Sequence, residues 1–80
     1  MNDVWKEAMD WYRASDLQQS IRRVANAQLE QHWPKDQGIS SSDTNSAIVS
    51  LYRQWLIAKA YNPSLELIVF LMETINEVMV

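Results

Sequence analysis

Leu65-Glu66-Leu67-Ile68-Val69-Phe70-Leu71-Met72-Glu73-Thr74-Ile75-Asn76-Glu77-Val78-Met79 is the stretch on which the fold turns. Through Met72 it is apolar apart from Glu66, and β-branched Ile68 and Val69 suit a strand as well as a helix. The continuation decides between them. Glu66, Glu73 and Glu77 fall in one narrow polar stripe at the helical period, and Ile75, Val78 and Met79 carry that period to the end. The spacing predicts a helix over 63–79, apolar nearly all round, with Phe70 beside the acidic stripe.

Just upstream, Asn62-Pro63 punctuates the chain. Asn62 suits a cap and Pro63 a first helical position, where its missing N–H costs nothing. Before it, Ile48, Leu51, Tyr52, Trp55 and Leu56 share one face, while Ser46, Ser50, Arg53 and Gln54 look outward. This predicts a second helix over 44–61 with Ser42 or Asp43 as N-cap. So short a connection makes the two an antiparallel hairpin or a sharp corner. An antiparallel hairpin would bring Lys59 near Glu66 and Arg53 near Glu73. Exposed pairs of that kind contribute about 0–1 kcal/mol, enough to tune register and no more.

Further upstream, residues 34–43 hold one of the two prolines, the only glycine, Gly38, and three consecutive serines, and read as a loop. In the first half, Val4, Trp5, Ala8, Trp11, Tyr12 and Ser15 line one helical face. The following set, Leu17, Ile21, Val24, Ala25 and Leu29, would sit roughly 150° round from it on an unbroken helix. Ser15-Asp16-Leu17-Gln18 has the form of a capping box, so the helix is expected to break near Ala14–Ser15, giving helices over 3–14 and 16–32. A single helix packing on two sides is the alternative. The expected fold is all-α, a single domain over 1–80 built as a small bundle of three to four helices with a C-terminal antiparallel helical hairpin.

Composition sets the functional bounds. Eighty residues allow one core, and the hydrophobic fraction of 48% is that of a folded chain. Such a core rarely leaves more than about 3–5 kcal/mol of net stability. Without cysteine neither disulfides nor a thiolate metal site can add to it, so self-association is favoured. The start, Met1-Asn2-Asp3-Val4-Trp5-Lys6-Glu7, lacks the basic opening and apolar run of a signal peptide. The longest apolar run, Leu67 to Met72, is far short of the ~20 residues that span a bilayer. A cytoplasmic protein without a membrane segment is the expectation.

Chemistry is sparse. His32 is the only histidine, in Gln31-His32-Trp33-Pro34 at a helix end, where a cationic imidazole is favoured by the helix dipole alone. No thiol exists to pair with it, and no serine or aspartate motif announces a triad. The Glu66–Glu73–Glu77 row lacks the Glu-x-x-His pairing of metal sites in bundles, and one glycine cannot build a phosphate loop. Trp5, Trp11, Trp33 and Trp55 have the spacing of core residues. No enzyme activity, cofactor or metal is therefore expected. Arg22-Arg23, set among Gln18, Gln19, Asn26 and Gln28, are the residue types that read base edges. A net charge of −3 opposes a general phosphate-binding surface.

The expected function is a non-catalytic protein–protein interaction module, whether regulator, inhibitor, adaptor or chaperone-like subunit, that pairs with itself as a homodimer or larger assembly. Ile57, Val69 and Phe70 are the expected interface, since they put apolar groups on the outward side of the hairpin. A small dimeric DNA-binding regulator acting through Arg22 and Arg23 is the competing expectation.

Overall fold

A computed structural model describes residues 3–79. Four helices follow one another: α1 Asp3–Ala14, α2 Gln18–Glu30, α3 Ser41–Tyr61 and α4 Leu67–Met79. No strand occurs among the described residues, so the apolar C-terminal run is helix. Residues 3–30 form two helices rather than one. The turn between them is not the capping box expected from Ser15 and Gln18. Ser15 Oγ accepts from the Leu17 N–H at 3.0 Å, and the Gln18 side-chain amide reaches back to the Tyr12 carbonyl at 3.4 Å. The serine thereby shapes a local turn, one of the alternatives its short side chain offers to helix capping. It leaves α2 to open at Gln18 with no side-chain cap.

α3 begins earlier than expected, and Ser40 rather than Ser42 or Asp43 is its N-cap. Ser40 Oγ accepts from the Asp43 N–H at 3.2 Å, while the Ser40 N–H donates to the Asp43 carboxylate at 3.0 Å. Asp43, in the first turn, also sets a negative charge against the positive end of the helix dipole. α4 begins later than expected, at Leu67 and not Pro63. Residues 62–66 form a turn in which the Leu65 N–H donates to the Asn62 carbonyl at 3.0 Å. The Glu66 carbonyl takes the first helical bond, from the Phe70 N–H.

α2 and α3 are central, for each packs on all three other helices, whereas α1 and α4 do not touch one another. The core lies on the seam of the central pair. Ile21, Val24 and Ala25 of α2 meet Ala47, Ile48 and Leu51 of α3, and Phe70 and Leu71 of α4 close one end. Two polar ties fix the register of that seam. Gln28 and Gln54 exchange side-chain amide bonds at 2.8 and 3.0 Å, and the Thr44 hydroxyl donates to Asn26 at 3.0 Å. Gln54, expected to face solvent, is thus half-buried against α2. α1 lies on the other side of α3, with Trp11 stacked in tilted contact on Tyr52, ring centroids 5.1 Å apart. α4 packs mainly on α2 and reaches α3 through Phe70, whose ring sits 5.3 Å from that of Trp55.

The expected ion pairs between α3 and α4 do not form. The Lys59 ammonium lies 5.5 Å from the Trp55 ring centre and donates to the carbonyls of Pro63 at 2.6 Å and Leu65 at 3.3 Å. There it serves the free carbonyls of the turn, a role open to a cation at a helix C-terminus. Among the described residues the one salt bridge is Lys6–Asp10, exposed on α1.

Candidate functional site

Amphipathic α4 has a buried arc and a bare one. Phe70, Leu71 and Thr74 are buried, and the Thr74 hydroxyl is satisfied within the helix by the Phe70 carbonyl at 2.7 Å. Opposite them Ile68, Val69 and Met72 stand exposed, Met72 at 58%. Their spacing of i, i+1 and i+4 makes them neighbours on one helical surface. α2 covers one side of α4 and α1 does not reach it, so among the described residues no other helix closes over this arc.

A second bare stripe lies at the C-terminal end of α3. Arg53, Leu56, Ile57, Ala60 and Tyr61 recur at the i, i+3, i+4, i+7, i+8 spacing of one helical face, and all five are exposed. Ile57 is 60% and Tyr61 88% exposed. Leu56, expected on the inner face with Trp55, belongs to this outer stripe, because none of the three helices packed on α3 covers it there. Among the described residues every large exposed hydrophobic side chain falls between Leu56 and Met79. The large exposed hydrophobic side chains are therefore concentrated on the last two helices.

Charge divides the two stripes. Glu66, Glu73 and Glu77 flank the α4 face and Arg53 heads the α3 face, all exposed and none in a salt bridge among the described residues. Of the three residues expected at an interface, Ile57 and Val69 are on the surface. Phe70 is corrected: at 7% exposure it fills the core against Trp55 and cannot meet a partner. The error has a physical origin. A helix apolar around most of its circumference does not itself say which arc its neighbours will cover.

The remaining candidates carry less. Arg22 and Arg23 are exposed on α2, beside a shallow concavity shared with Gln19, Asn26 and the carboxylate of Glu30. His32 lies exposed past the end of α2, at an open groove of about 430 Å³ shared with Ser46 and Ser50. Ser46 Oγ donates to the Ser42 carbonyl and Ser50 Oγ accepts from Gln54, so neither hydroxyl is held by the imidazole as an activated nucleophile would be. Among the described residues no three His, Asp or Glu side chains gather as metal ligands, and no helix is long and apolar enough to cross a membrane. Burial raises the pKa of Tyr52 above its ordinary value, and the charge of Glu7 and the hydroxyl's 3.4 Å bond to that carboxylate act the same way. This pair ties α1 to α3.

No protein-family model, curated protein or solved structure matches the chain.

Proposed function

We propose that this chain is a small non-catalytic helical interaction module that associates with itself through the bare faces of α3 and α4. The observation that carries the reading is surface area. The chain exposes 5700 Å², whereas a monomer of 9.3 kDa is expected to expose about 5,000 Å². The exposed hydrophobics are grouped on two neighbouring helices, with charged residues at their edges, which is the layout of an apolar interface centre and polar rim. A second copy would cover them and enlarge a core that is small for its chain.

Light scattering coupled to size exclusion over a dilution series tests this. The wild type is expected to run as a dimer or larger assembly, and Ile57→Asp and Met72→Asp to run as monomers with unchanged helical circular dichroism. A wild type that stays monomeric at high concentration would sink the proposal.

DNA binding through α2 is the second reading, favoured by the adjacent, exposed Arg22 and Arg23, which form no salt bridge among the described residues. A mobility shift on duplex DNA that weakens with salt and disappears in the Arg22→Ala, Arg23→Ala double variant would promote it.

A further inference from the structure

Self-association leaves open which face meets which, and the charges bear on that choice. An α4 face set antiparallel against its own copy across a two-fold axis brings like flanks together, so Glu66, Glu73 and Glu77 of one chain would lie beside the same three of the other. Two α3 faces set antiparallel about Ile57 would place Arg53 opposite Tyr61, with no carboxylate to meet it. The α3 stripe is headed by a cation and the α4 stripe is flanked by carboxylates, none of them in a salt bridge among the described residues. Only the mixed pairing matches sign, and juxtaposed like charges are what exclude wrong registers at an interface.

Spacing agrees with charge. Arg53 precedes Ile57 by four residues, and Glu73 follows Val69 by four. With the helices antiparallel, seating Ile57 on Val69 therefore places Arg53 opposite Glu73, each pair one helical turn from the other. Resting on the self-association reading, we infer that copies pair with the C-terminal end of α3 seated antiparallel on α4 of the other copy, Arg53 facing Glu73 between chains. A two-fold axis makes this contact twice in each dimer, residue i meeting j and j meeting i.

Charge exchange between chains tests the pairing. Arg53→Glu and Glu73→Arg each replace two attractive contacts per dimer by two repulsive ones, and each is expected to raise the dissociation constant at least about tenfold. Both positions are exposed, so the helical circular dichroism should not change. An equimolar mixture of the two variants restores opposite charges at both contacts and should associate within about threefold of the wild type. The double variant carrying both changes in one chain should recover likewise. If the wild type associates but the mixture stays as weak as the single variants, the pairing is wrong while self-association stands. Tighter association by Glu73→Arg alone would also overturn it, in favour of α4 against α4. A monomeric wild type would remove both.

Discussion

Tyr52 joins α1 to α3 through its ring on Trp11 and its hydroxyl on Glu7, and ionisation of that hydroxyl gives the fold a sensitivity to alkali. Burial is the larger reason its pKa is raised above 10.0, followed by the Glu7 charge and the bond to it. A raised folded-state value means that the folded chain keeps the proton longer than the unfolded one. Its contribution to stability is then fully present below about pH 10 and is lost as the pH climbs through the folded-state value. Thermal midpoints followed from pH 8 to 11.5 should therefore fall at the alkaline end, and Tyr52→Phe should flatten part of that fall. Phe70 and Val69 give the second contrast at this scale. They are adjacent, yet one is 7% exposed and the other 42%. Phe70→Ala should cost about 3–5 kcal/mol in chemical denaturation, the range for emptying an aromatic core site, and Val69→Ala under about 1 kcal/mol. Equal losses would mean that α4 is rotated from the orientation described. This distinction was not legible in the sequence, where both residues belong to the same apolar run. What the run did convey was that α4 has more apolar surface than one neighbour can cover.

The helices themselves were legible because their cores keep period, while their ends were not, because ends depend on single hydrogen bonds. The break between α1 and α2 followed from a change of phase between two apolar stripes, a signal spread over many residues. The start of α3 had no such support. Ser40, Ser41, Ser42 and Asp43 all have the chemistry of a cap, and the choice falls on the serine whose partner three residues on is acidic. Ser40→Ala removes the acceptor of the Asp43 N–H and should cost about 1 kcal/mol, whereas Ser42→Ala should change stability by less than ~0.5 kcal/mol. Urea unfolding of the two variants checks the assignment, and a reversed order would move the cap back to Ser42. Pro63 misled for a similar reason. It can open a helix, but here the Lys59 ammonium and the Leu65 N–H satisfy a turn around it, and the helix waits for Glu66. Long cations are rarely recognisable as caps in sequence, since their reach covers many carbonyls.

At the scale of the whole molecule the dimensions are 40 × 35 × 21 Å, and the shortest is about two helix diameters. The chain is a two-layer plate, which accounts for its surface excess better than any single exposed residue does. A plate of four helices leaves each outer helix with a face that no other element can reach. A small core without cysteine favours self-association, and the arrangement supplies two faces of opposite charge on which to test it. The same thinness bears on how the backbone trades hydrogen with water. With only two layers, every helix has one side in solvent, where its amide bonds open by local fraying and exchange without the rest of the molecule unfolding. Lasting protection is left to the seam alone, around Ile21, Ile48 and Leu51, whose side chains are almost wholly out of solvent. Anything that clasped the bare arc of α4 would therefore be recorded there first, as amides between Ile68 and Met72 that begin to hold their label.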